Sequence, residues 1–328
     1  MSARRLVTAA LTASVAAGSL LLPASADATP NPEPKIVMVG VRISPHSAFR
    51  SPWSKNKYGV GQLVTMRFDA PVTRREDVER AIRISSGKEL PAGAWGWVNS
   101  TTAVYRPKRF WPANARIQFT TDFENLVLAR QDGVVYVAEE RKEPYVLRTA
   151  RRFVMTIKDS THHMTVERNG KTIRRFGVSL GKRGWETRSG IKILTDERYA
   201  RLRMTGYDPG KDESWDVIAP YSIRLTPSGE FIHGAPWANH RIGKWDGSHG
   251  CTNMFVRDAR WLFEKTRQGD PVVTTGTGRP MQVTNGTPGS YWNYSWGDWK
   301  RLSGRFGKKP AAQARAMTLP TPLVDAGP

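Results

Sequence analysis

A single cysteine, Cys251, serves a chain of 328 residues that opens with the pattern of an export leader. Arg4 and Arg5 precede an uncharged, mostly apolar stretch from Leu6 to Leu22. Small-x-small sites follow at Ala24-Ser25-Ala26 and Ala26-Asp27-Ala28. Together these read as a secretory signal peptide over residues 1–28, with cleavage expected after Ala26 or Ala28. A membrane anchor fits less well, because the stretch is short and rich in Ala and Ser. The paired arginines leave Sec and twin-Arg export both open. An exported chain with one cysteine cannot form an internal disulfide, so hydrophobic cores must hold its fold. No cysteine lies near residue 26 to carry a lipid, so the chain does not read as a lipoprotein. A lone thiol in oxidising surroundings is a liability unless its chemistry is used.

Hydrophobic residues make up 39% and charged residues 24%, which suits globular domains rather than a disordered chain. The formal net charge of +21 calls for an anionic partner or surface. Nucleic acid, acidic wall polymers and peptide carboxylates all satisfy that demand. The leader decides among them, placing the chain outside the cytoplasmic membrane, in the cell wall or a periplasm-like space, with no nucleic acid to meet.

Pro30-Asn31-Pro32-Glu33-Pro34 reads as an extended linker, residues 29–34. From 35 to 148 the pattern is β. Val64, Met66 and Phe68 alternate with Thr65 and Arg67, and Ile117 and Phe119 alternate with Gln118 and Thr120. Pro71, Pro91, Gly93, Pro107 and Pro112 punctuate these runs, and Arg74 to Ile82 can form one short helix. A small β-sandwich fits this block. A second block, 149–276, reads as strands at Phe153 to Lys158, Met164 to Arg168 and Lys171 to Val178. Asn169-Gly170 between the last two predicts a hairpin with a type I′ turn. Further strands are expected around Ile191 to Leu194, Ile223 to Leu225 and Glu230 to His233, followed by an irregular loop from Gly234 to Gly250. Ala259, Leu262 and Phe263 give an apolar stripe that predicts a helix over Arg257 to Arg267. Pro271 to Thr274 reads as a returning strand. Residues 277–302 crowd Trp292, Tyr294, Trp296 and Trp299 together, which predicts that they dock onto the second block or form an exposed sugar-binding platform. Residues 303–328, rich in Ala, Pro, Lys and Gly, read as a disordered tail.

The chemistry gathers in the second block. His233-Gly234 ends a predicted strand, and Ser248-His249-Gly250-Cys251-Thr252-Asn253 follows. A thiol becomes a nucleophile when an imidazole takes its proton, and that base needs a third group to orient it. His233 and His249 are both candidates for the base. Gly250 permits a turn that can aim backbone N–H groups at one point, as an oxyanion hole needs. Zinc held by His233, His240, His249 and Cys251 is a weaker reading, since one cysteine at this spacing fits no common zinc site. His46, His162, His163 and His240 read as solvated, and Met164 and Met204 as packing residues. No metal and no cofactor are expected.

A His, a spacer and then Ser-His-Gly-Cys-x-Asn resembles the L,D-transpeptidases with a YkuD-type catalytic domain, in particular the two-domain actinobacterial type. Six positions carry it: His233, Ser248, His249, Gly250, Cys251 and Asn253. Thr187-Arg188-Ser189-Gly190-Ile191 is similar to the donor-side segment of that family, and Phe231 to Trp237 to its active-site strand and loop. Trp95-Gly96-Trp97 and Tyr105-Arg106-Pro107 resemble parts of its immunoglobulin-like module, and the Trp-rich stretch its C-terminal subdomain. The likeness runs from about residue 35 to about 302. It implies a mostly β fold: an immunoglobulin-like sandwich, a β-rich catalytic domain with few helices, and a short Trp-rich subdomain.

The resemblance also implies roles. Cys251 attacks a peptidoglycan stem tetrapeptide, D-alanine leaves and a thioester forms. His233 is the base, oriented by the carbonyl of Gly234. His249 and Gly250 shape the oxyanion hole with the Cys251 N–H. Ser248, Asn253 and Trp237 meet substrate or support the loop, and Met204 and Tyr207 fall on a lid. The acceptor is the amine of diaminopimelate on a second stem, and carbapenems acylate the nucleophile. Two other readings stay open: an L,D-carboxypeptidase, in which water resolves the thioester, and a non-catalytic wall-binding protein using its basic surface.

Overall fold

The protein is described by a computed structural model covering residues 33–46, 57–283 and 289–307. The expected signal peptide, most of the linker and the end of the tail lie outside the described residues. Mostly β structure is what the chain adopts.

Among its described residues the first block contributes ten strands: β1 (Lys35–Val39), β2 (Val41–Pro45), β3 (Val64–Phe68), β4 (Ile82–Ser86), β5 (Gly93–Trp97), β6 (Thr102–Pro107), β7 (Arg116–Thr121), β8 (Val127–Gln131), β9 (Val134–Ala138) and β10 (Tyr145–Arg148). One short helix, α1 (Arg75–Arg80), lies where the sequence places it. Sheets β2-β3-β6-β5 and β10-β7-β4, with the small sheet β1-β9-β8, enclose a core of Met66, Phe68, Trp95, Trp97, Ile117, Phe119 and Leu147. The Phe119 ring meets Trp95, Tyr105 and Trp111 edge-on, the arrangement that aromatic quadrupoles favour.

In the second block, β11 (Phe153–Lys158), β12 (His163–Arg168) and β13 (Lys171–Gly177) form a meander. Asn169 and Gly170 take φ of 51° and 81°, as a type I′ turn requires. β14 (Gly190–Ile193) completes this sheet with the later β19 (Pro271–Thr275), in the order β13-β12-β11-β19-β14. A second sheet runs β15 (Arg198–Asp208), β16 (Glu213–Arg224), β17 (Phe231–Gly234), β18 (Thr252–Met254). Helix α2 (Val256–Lys265) buries Ala259 and Leu262 and lies on β16 and β17. The two sheets and α2 share a core that includes Met155, Leu180, Ile223, Ile232, Met254 and Leu262.

The tryptophan segment departs from expectation. It forms the short helix α3 (Trp296–Arg301) and docks chiefly on the first block. A buried indole needs an acceptor for its N–H. The Trp299 Nε1 donates to the Ala94 carbonyl at 3.0 Å, and the Trp292 Nε1 to the Gly61 carbonyl at 2.8 Å. Gly96 opens the slot: a Cβ there would lie 2.6 Å from the Trp299 ring. Trp292 and Trp299 are 4% and 0% exposed, so these two rings do not form an open platform. The second block is touched too, because the Asn293 amide pairs with the backbone of Ile191 in both directions. The segment thus straps the two blocks together and shares their core rather than owning one.

Candidate active site

β17 and β18 run parallel, with His233 opposite Asn253. Cys251 comes one residue before β18, the strand that pairs with the one carrying His233. His233 is 3% exposed. Its Nδ1 donates to the Gly234 carbonyl at 2.9 Å, which fixes the tautomer and leaves Nε2 as the basic nitrogen. Burial pulls its pKa down to about 4. The Gly234 carbonyl is the one to which the resemblance assigns the orienting role.

Cys251 keeps some exposure, but its dry surroundings push the thiol up to about 11. The Phe231 N–H and the cations Lys192 and Arg224 act in the opposite direction, while Glu230 adds to the rise. The Sγ points at the Gly229 carbonyl at 3.6 Å, and among the described residues no hydrogen bond joins it to His233.

The turn before Cys251 is built by its own side chains. The Ser248 hydroxyl donates to the Cys251 carbonyl at 2.6 Å and accepts the Gly250 N–H at 3.1 Å. Gly250 sits at φ 112°, where a Cβ would be strained. Its amide is committed to the Ser248 hydroxyl. The Thr187 hydroxyl donates to the Gly250 carbonyl at 2.9 Å, tying the donor-side segment to the turn. Asn253 is 2% exposed, its backbone exchanging hydrogen bonds with Ser179 and its Oδ1 unpartnered. Trp237 is 38% exposed, with its ring 5.9 Å from that of His233.

β15 and β16 form a long hairpin whose tip reaches this turn. Met204 and Tyr207 lie on β15, but the Tyr207 hydroxyl is engaged by Asp212 of the same hairpin. The contacts to the site come from residues the motif did not reveal. Trp215 stacks on His249 at 4.0 Å and 11°, and Trp185 meets the same imidazole edge-on at 5.1 Å. The His249 Nε2 lies 3.4 Å from Asp208, which is also paired with Lys182. Lys182 holds the Asp208 carboxyl down to about 2. Burial and the Lys182 ammonium keep His249 below the usual imidazole range. These contacts tie His249 to the hairpin, while the His233 ring is buried and held through Nδ1 by the Gly234 carbonyl. No local signal marks Trp215 or Asp208, because the turn of the hairpin, not a motif, brings them to the site.

An immunoglobulin-type sandwich ahead of a β-rich domain that sets a thiol and an imidazole on adjacent strands is the class the fold and site define. Residues 152–274 match the model of the L,D-transpeptidase catalytic domain, and residues 44–126 that of a bacterial Ig domain. L,D-transpeptidase 1 of Mycobacterium tuberculosis is 31% identical over 240 residues, covering 71% of this chain and 86% of the relative. L,D-transpeptidase 2 of the same species is 27% identical, over 74% of this chain and 58% of its own length. Among solved structures, LdtMt1 in complex with imipenem aligns at TM-score 0.56 and 28% identity, covering 71% of this chain and 100% of that one. An L,D-transpeptidase from Mycobacterium smegmatis aligns at 0.54 and 25%, covering 73% and 99%. The chain belongs to the L,D-transpeptidases, a family of acyltransferases.

Proposed function

We propose that the protein cross-links peptidoglycan outside the cytoplasmic membrane through a thioester on Cys251. The His233 Nε2 takes the thiol proton as sulfur attacks the carbonyl before the terminal D-alanine of a stem tetrapeptide. The carbonyl π electrons move to oxygen, where the Cys251 N–H faces the developing charge. The tetrahedral species collapses, the carbon–nitrogen bond breaks, and the imidazolium returns its proton to the departing D-alanine amine. The amine of diaminopimelate on a second stem then attacks the thioester, and His233 relays its proton so that the thiol is regenerated. The observation that carries this reading is the Nδ1 bond to Gly234, which leaves Nε2 as the basic nitrogen on the strand paired with the one that follows Cys251. Ser248, Gly250 and His249 hold the turn, and Trp237 and Asn253 border the donor cleft.

The leader supports export, and no helix among the described residues is long and apolar enough to cross a membrane. The basic composition suits anionic wall polymers. The imipenem complex of LdtMt1 supports carbapenem binding, and in the proposed chemistry the carbapenem acylates Cys251. The test incubates the mature protein with stem tetrapeptides. Wild type should release D-alanine and form peptide dimers, and Cys251→Ala should do neither. Dimers made by the mutant would end the proposal, and trimmed monomers alone would favour the carboxypeptidase reading.

A further inference from the structure

Under the nucleophile turn lies a cluster of buried charges that the steps above do not use. Lys192, on β14, is fully buried, and its Nζ donates to the Glu230 Oε2 at 3.1 Å and the Arg188 carbonyl at 2.6 Å. Glu230 is 4% exposed, and its Oε1 accepts from the Arg188 backbone N–H at 3.1 Å and the Arg188 guanidinium at 2.8 Å. The cluster abuts both halves of the site. Glu230 follows Gly229, whose carbonyl receives the Cys251 thiol, and precedes β17, which carries His233. A Cβ on Gly250 would lie 4.0 Å from the Glu230 side chain.

Charge is the unusual feature. Two cations and one carboxylate leave a surplus of one positive charge, with Lys192 and Glu230 buried, Arg188 19% exposed at the rim, and Arg224 of β16, paired with Glu197, a further cation acting on Cys251. Such a surplus is costly unless something negative answers it. A hydrogen-bonded frame for the strands would need no such surplus, since an Arg188–Glu230 pair alone is neutral. The group beside it that acquires negative charge during acyl transfer is the Cys251 sulfur, followed by the substrate oxygen.

We propose that Lys192 is a positioning residue that supplies this surplus charge, held in place by Glu230 and Arg188, and so stabilises negative charge at Cys251. The proposal rests on Cys251 being the nucleophile. Its test reads the thiol without substrate, so the two readings fail separately. Because Cys251 is the one cysteine in the chain, intact mass follows its alkylation by iodoacetamide directly. Lys192→Met keeps the volume and removes the charge. Its rate should fall about tenfold at each pH from 7 to 10, displacing the pH profile by about one unit. The double variant Lys192→Met/Glu230→Gln again has one surplus cation, Arg188, and its rate should return toward wild type. A structural role would instead make the double variant slower than the single one. If the Lys192→Met profile superimposes on wild type, or the double variant is slower still, the proposal is overturned. Should Lys192→Met not hold its fold in a thermal melt, Lys192→Gln, which keeps a donor for Glu230, carries the same expectation. Wild-type protein that alkylates as described but never releases D-alanine would sink the transpeptidase reading and leave this one standing.

Discussion

With His233 held near pKa 4 and Cys251 near 11, the resting pair is uncharged across the neutral range. The sign follows from burial, which penalises imidazolium and thiolate alike. Only about one thiol in ten thousand is ionised at pH 7 on these values. On the proposed mechanism, proton transfer to the Nε2 then belongs to the step of attack and does not precede it. Without substrate, alkylation of Cys251 should climb about tenfold per pH unit between pH 6 and 9. A preformed thiolate–imidazolium pair would instead give a rate flat over that interval, and a stopped-time alkylation series read by mass separates the two. Cys251 stood out in the sequence as the one thiol within the Ser-His-Gly-Cys turn, and His233 and His249 stood beside it as candidate bases, because a strand-ending histidine and that turn are each local. Lys192 did not stand out. It sits in Ile-Lys-Ile, where strand alternation would send a lysine to solvent, and only the fold places Glu230 against it.

The β15–β16 hairpin is the element that the sequence hid. On β15, Leu202 and Met204 are spaced among arginines and a glycine and are only half-buried, so the alternation that reveals a core strand is weak. The inner end of β16 was visible at Ile223, where the strand reaches the common core. The outer end is fastened to the active-site turn by the Trp215–His249 stack and the Lys182–Asp208–His249 chain. An aromatic stack of this kind contributes about 0.5–1.5 kcal/mol. Trp215→Ala should accordingly speed amide hydrogen exchange in residues 198–224 by a few-fold to about tenfold. Exchange in β11 and β12, which lie in the other sheet, should not change. Unaltered exchange in the hairpin of the variant would show that Trp215 does not hold it.

Across the whole molecule, two blocks and a strap share their stability. The division into a β-sandwich and a second β-rich block was readable from alternation, Pro and Gly punctuation and the Asn-Gly turn. The address of the tryptophans was not, since composition says that they must be covered without saying by what. Gly96 supplies that answer as a gap beside Trp299. Glu79 adds a polar anchor, accepting from Trp97 at 2.8 Å within the sandwich and from Ser303 and Gly304 of the strap. Gly96→Ala should wedge the ring out at a cost of about 1–3 kcal/mol, lowering the melting temperature and exposing residues 289–307 to limited proteolysis. A melt and a digest identical to wild type would contradict this arrangement.

The central claim is a covalent bond at one sulfur, and intact mass after mixing with imipenem tests it most directly. One stoichiometric adduct, mapped by peptide digestion to Cys251 and missing from Cys251→Ala, is the predicted result. An adduct that survives that substitution, or one mapped to another side chain, would contradict the account.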